Sequence, residues 1–80
     1  MKIRLKTIED VKIFVEAATR YYEGEIDISQ GKYMVDGRSI IGIFSLNLLE
    51  PIEATINNAP TKEIETNFYN FINKWKVEED

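Results

Sequence analysis

The chain contains no histidine and no cysteine, and both absences limit the chemistry that it can perform. Without histidine it lacks the side chain whose unperturbed charge changes near neutral pH, which is also the commonest general base and metal ligand. Without cysteine it has no thiol nucleophile, disulfide or thiolate metal ligand. Carboxylates, hydroxyls and lysines are the reactive groups that remain. We therefore expect that the protein is not an enzyme and that it binds no cofactor and no metal ion.

Long apolar runs and a surplus of positive charge are also missing. No apolar run approaches the ~20 residues that a membrane-spanning helix needs, and the first six residues alternate polar and apolar, unlike a signal peptide. Ten Lys and Arg stand against fourteen Asp and Glu, a net charge of −4, which disfavours nucleic acid and anionic membranes as partners. We therefore expect a cytoplasmic protein with no membrane insertion.

The sequence does have enough apolar material for one small core. Of its 80 residues 44% are hydrophobic, including four Phe, four Tyr and one Trp, which argues against disorder. We expect residues 1–77 to form a single domain, and the acidic residues 78–80 to be a frayed tail.

Hydrophobic periodicity predicts four strands and three helices in the order β-α-β-β-α-β-α. Alternating residues predict strands at 1–6, at 25–29 and 32–35 around a turn at Gln30-Gly31, and at 52–56. Such an arrangement favours an α+β domain in which the helices cover one face of the sheet.

Hydroxyl side chains mark the start of each predicted helix. Thr7 begins the first helix in a capping box that Asp10 completes. Ser39 begins a short second helix that runs to about Leu48, and Thr61 begins the third. The first and third helices carry the apolar stripes Val11, Phe14, Val15, Ala18, Tyr22 and Ile64, Phe68, Phe71, Ile72, Trp75.

Three segments, together with the order of the elements, resemble a known family. They are Ala-Thr-Arg-Tyr at 18–21, Gly-Arg-Ser-Ile-Ile-Gly-Ile-Phe-Ser-Leu at 37–46 and Glu-Ala-Thr-Ile at 53–56. The chain resembles HPr, the small histidine-containing phosphocarrier of the bacterial phosphoenolpyruvate-dependent sugar phosphotransferase system. The resemblance implies an HPr-like open-faced β-sandwich, a four-stranded antiparallel sheet in the order 1-4-2-3 with three helices on one face.

The family's phosphorylated histidine lies at the start of the first helix, in a Gly-x-His-Ala-Arg-Pro-Ala motif. The resemblance places Thr7 at the histidine position and Glu9 at the arginine position of that motif. A threonine hydroxyl cannot form the labile phosphoimidazole, and the carboxylate of Glu9 repels a phosphoryl group. We therefore expect no catalytic residue and no phosphate transfer, and we interpret Thr7 as a helix cap.

Ser39 matches the family's second phosphorylation site, which HPr kinase modifies in the control of carbon catabolite repression. The chain is similar in kind to the catabolite-repression HPr, which also lacks the histidine and acts as a serine-phosphorylated partner of a transcription regulator. A phosphate at a helix start would meet free backbone N–H groups. Ser39 is also a good helix cap without any modification, so both interpretations stay open.

The second helix carries more apolar residues than one buried face needs. At about 100° per residue, one side comprises Gly42, Ile43, Leu46 and Leu49 and the other comprises Ile40, Ile41, Phe44 and Leu48. A helix on one face of a sheet needs a single apolar stripe. We therefore expect the second set to bind a protein partner, as the equivalent surface of HPr does, with shielding by loops as the alternative.

The sequence thus predicts a regulatory module of the HPr family that binds protein partners through residues 39–48. The resemblance implies HPr kinase or a transcription regulator as those partners. The alternative is a self-associating or structural protein in which the apolar residues join two copies. We expect a monomer or a weak homodimer.

Overall fold

The computed structural model describes residues 1–21 and 23–78 of the chain. The four strands form one antiparallel sheet in the order β1-β4-β2-β3. The predicted α+β class, strand order and three helices are confirmed, while the predictions for Tyr22 and for residues 79–80 lie outside the described residues. The elements are β1 (Lys2–Ile3), α1 (Ile8–Tyr21), β2 (Glu25–Gln30), β3 (Tyr33–Asp36), α2 (Ile40–Phe44), β4 (Ile52–Asn57), α3 (Lys62–Ile72) and a 3₁₀ turn (Asn73–Trp75).

Alternation along the two central strands directs one face of the sheet toward the helices. The buried positions are Ile26 and Ile28 of β2 and Ile52, Ala54 and Ile56 of β4. Opposite them, the rings of Phe14 in α1 and Phe68 in α3 pack edge to face, with centroids 6.0 Å apart. The other face of the sheet carries partly or fully exposed side chains such as Asp27 and Thr55. One apolar core therefore lies between the sheet and the helices.

The first strand is shorter than the alternation over residues 1–6 predicts. β1 ends at Ile3, and the next backbone N–H, that of Arg4, donates to the carbonyl of Trp75 at 2.9 Å. The N–H of Val77 donates to Lys2 at the same distance, and Ile3 forms an antiparallel bridge with Lys76. Residues 75–77 thus pair with β1 on the side away from β4.

The second helix is also shorter than predicted, since it ends at Phe44 and not near Leu48. The side chain of Gln30 binds both backbone groups of Asn47: its amide nitrogen donates to the carbonyl at 2.7 Å, and its oxygen accepts from the N–H at 2.9 Å. After Asn47 the backbone forms a local hydrogen bond, in which the N–H of Leu49 donates to Asn47 Oδ1 at 3.1 Å. These bonds replace the helical ones that periodicity predicts.

The three predicted hydroxyl caps are confirmed. Thr7 Oγ1 accepts from the N–H of Asp10 at 3.0 Å, and Thr61 Oγ1 accepts from Ile64 at 3.1 Å. The capping box at Thr7 is only half formed, because within residues 1–21 and 23–78 the carboxylate of Asp10 accepts no bond from the Thr7 N–H. Asp10 instead lines a cleft beside β1.

Candidate protein-contact site

Ser39 lies at the start of α2, where its hydroxyl serves as a helix cap. Its backbone is extended (φ −96°, ψ 103°), and Oγ accepts from the N–H of Gly42 at 3.0 Å. The Ser39 N–H donates to the Asp36 carbonyl at 3.0 Å, which connects the helix start to the end of β3. The side chain is partly exposed, so the hydroxyl both stabilises the helix and lies next to solvent.

Arg38, the residue before the cap, fixes the helix start to the rest of the domain. Its Nε donates to the carbonyl of Ala18 at 3.1 Å, and its Nη2 donates to that of Gly24 at 2.5 Å. Both carbonyls lie at or just beyond the end of α1, where helical partners run out. The guanidinium group thus caps α1 and positions α2 at the same time.

Gly42 lets α2 pack closely against β3. A Cβ atom at this position would lie 3.0 Å from Ser39 Oγ and 3.1 Å from the Cβ of Val35. Ile43 and Leu46 are buried in the core from this side. Close packing, the serine cap and Arg38 together hold the short helix in one orientation.

Three apolar side chains of this region face solvent, and we call them the α2 patch: Ile41, Phe44 and Leu49. Ile41 is 81% exposed and Phe44 is 42% exposed. The other two residues of the predicted contact surface, Ile40 and Leu48, are partly buried and pack against the core.

The helical wheel predicts that Leu49 lies on the buried side of the second helix, and this prediction is wrong. Leu49 is 78% exposed, because the helix ends five residues earlier and the Gln30–Asn47 bonds set a different direction for the chain. Its exposure therefore depends on a contact between Gln30 and Asn47, which are 17 residues apart in the sequence. No local signal in the sequence indicates this contact.

Thr7 and Glu9, which the resemblance places at the histidine and arginine positions of the family's motif, both lie at the start of α1. The Thr7 hydroxyl accepts the capping bond from Asp10, and Glu9 is exposed in the first turn of α1. In the described part of the chain, no three side chains of the types that bind metal ions lie close enough together to hold one. None of the described helices could cross a membrane, since each is too short or too polar.

Comparisons of this chain with models of protein families, with curated proteins and with solved structures gave no match.

Proposed function

We propose that the chain is a non-catalytic, regulatory module of the HPr type that binds a protein partner through the α2 patch. The observation that carries this proposal is the exposure of Ile41 and Phe44 on a helix whose orientation is fixed from three sides. Adjacent exposed apolar side chains are costly in water, and they commonly mark protein contacts. A rigid helix limits the entropy that is lost when a partner binds.

Phosphorylation of Ser39 is the regulation that we propose for this contact. The hydroxyl lies two residues from Ile41 and is partly exposed, so a phosphate there would add about two negative charges at the border of the patch. Arg38 donates to the carbonyls of Ala18 and Gly24, and we therefore expect the phosphate to act by its charge beside the patch. HPr kinase and a transcription regulator are the partners that the family resemblance suggests.

The test compares two isoleucines of similar exposure on different helices. Ile41→Asp places a charge in the α2 patch, and Ile8→Asp makes the same change in α1, where Ile8 is 65% exposed. Affinity capture from native cell extract should recover a partner with the wild type and with Ile8→Asp, and lose it with Ile41→Asp. The same set of proteins captured by all three chains would contradict the proposal.

Sedimentation equilibrium separates the self-associating alternative from a heterologous partner. The α2 patch of one copy meeting that of another would give a dimer whose population rises with concentration, and Ile41→Asp would make it monomeric. A wild type that stays monomeric at all concentrations, together with partner capture, favours the regulatory module.

A further inference from the structure

Part of the positive charge of this acidic protein is gathered around one cleft. Four of its ten Lys and Arg line a single cleft with a volume of about 300 Å³, namely Arg4, Lys6, Lys74 and Lys76. Asp10 is the one carboxylate among the lining side chains. The cleft therefore carries a local positive charge, although the net charge of the chain is −4.

Backbone pairing between the two ends of the chain builds this cleft. Arg4 and Lys6 flank the buried Leu5 near the amino terminus. The bonds from Arg4 N–H to Trp75 and from Val77 N–H to Lys2, each 2.9 Å, hold the carboxyl-terminal lysines beside them. The cations therefore come from two segments whose spacing is fixed by the backbone, and not from one flexible run.

The cationic groups of the cleft have no anionic partner among residues 1–21 and 23–78. The described ion pairs involve the amino terminus, Arg20 and Lys62, and none of the four cleft cations. The Nε of Arg4 is buried and donates to no acceptor in the described residues. A buried donor without an acceptor is unfavourable, and a bound oxygen atom that accepts from the guanidinium group would offset that cost.

The lining also includes aromatic surface. Lys74 Nζ lies 4.2 Å from the ring centroid of Phe71 and 5.2 Å from that of Trp75, so cation–π contacts hold the ammonium group near the cleft. Trp75 itself lines the cleft and is partly buried. A ligand there would meet positive charge and a flat apolar face together.

We propose that this cleft binds a phosphate monoester, with Arg4 as its anchor. The guanidinium group donates in a planar fork that matches phosphate oxygens, and the lysines neutralise a second charge. A volume of about 300 Å³ is at the lower end for ligand sites and fits a small esterified group. The proposal does not depend on the α2 patch, which consists of other residues.

The only tryptophan of the chain, Trp75, reports directly on this site. Glycerol 3-phosphate, titrated at constant ionic strength, should give a saturable change in tryptophan fluorescence, whereas glycerol should give none. Arg4→Gln and Lys74→Gln should each weaken binding about tenfold, as expected when a charge-assisted hydrogen bond is lost.

The matched control is Lys32→Gln, which removes the same charge at the exposed turn between β2 and β3. It should change the affinity less than about twofold, because exposed charges at a distance are screened by salt. Urea unfolding of each variant verifies that it is folded. A titration without saturation, or an equal loss of affinity in Lys32→Gln and Arg4→Gln, would overturn the proposal.

Vesicles containing phosphatidic acid identify the source of the ester. If the wild type sediments with these vesicles and the Arg4→Gln variant does not, the ligand is the headgroup of a lipid. Saturable binding of glycerol 3-phosphate without vesicle sedimentation would indicate a free small molecule.

Discussion

Arg38 shows how one side chain can connect elements that are distant in the sequence. Its guanidinium donors meet carbonyls 20 and 14 residues earlier, at Ala18 and Gly24. In the sequence, Arg38 is only one residue of the segment 37–46 that carries the family resemblance. Its hydrogen-bond partners could not be predicted, since they depend on where α1 and α2 meet in space.

We expect Arg38→Gln to destabilise the protein by about 2 kcal/mol, because charge-assisted bonds to partly buried carbonyls are lost. Arg20→Gln is the control: its ion pair with Glu16 is exposed at both ends and should contribute less than about 0.5 kcal/mol. Urea unfolding followed by circular dichroism measures both values. Similar midpoints for the two variants would show that Arg38 does not hold α1 and α2 together.

At the scale of elements, local signals predict where helices begin better than where they end. The hydroxyls of Thr7, Ser39 and Thr61 bind backbone groups three residues ahead, so a short sequence window contains each cap. The end of α2 depends on Gln30, which lies in another element. Periodicity therefore predicts the helix but extends it too far, and it places Leu49 on the wrong side.

Gln30→Leu tests whether this side chain sets the conformation of the segment after α2. The change removes the bond that the Asn47 N–H donates and one of the two bonds that its carbonyl accepts. Amide exchange at residues 46–49 should therefore be faster than in the wild type. Met34→Leu, an exposed position of the neighbouring strand β3, is the control and should leave those rates unchanged. Unaltered exchange in Gln30→Leu would mean that other contacts hold the segment.

At the scale of the whole molecule, the composition predicts the charge but not its distribution. A net charge of −4 is a sum, and it contains no information on the cleft that brings Arg4 and Lys74 together. The strand order 1-4-2-3 could also not be predicted from hydrophobic alternation, which identifies strands but not their neighbours. The prediction of that order came from the family resemblance. Pairing between β1 and the residues after α3 is long-range, and this is why the cleft could not be predicted.

The same pairing yields a prediction for the stability of the whole domain. A chain that ends after Asn73 loses the Trp75 ring, whose centroid lies 6.1 Å from that of Phe14, and both backbone bonds to β1. Compared with a reference chain that ends after Glu78, it should be destabilised by about 2–4 kcal/mol, because a partly buried aromatic ring and two backbone hydrogen bonds are lost. Trp75→Ala in the reference chain keeps the backbone bonds and should unfold between the two. Urea unfolding followed by circular dichroism ranks the three chains without relying on tryptophan fluorescence, and equal midpoints for all of them would mean that β1 does not need the carboxyl-terminal segment.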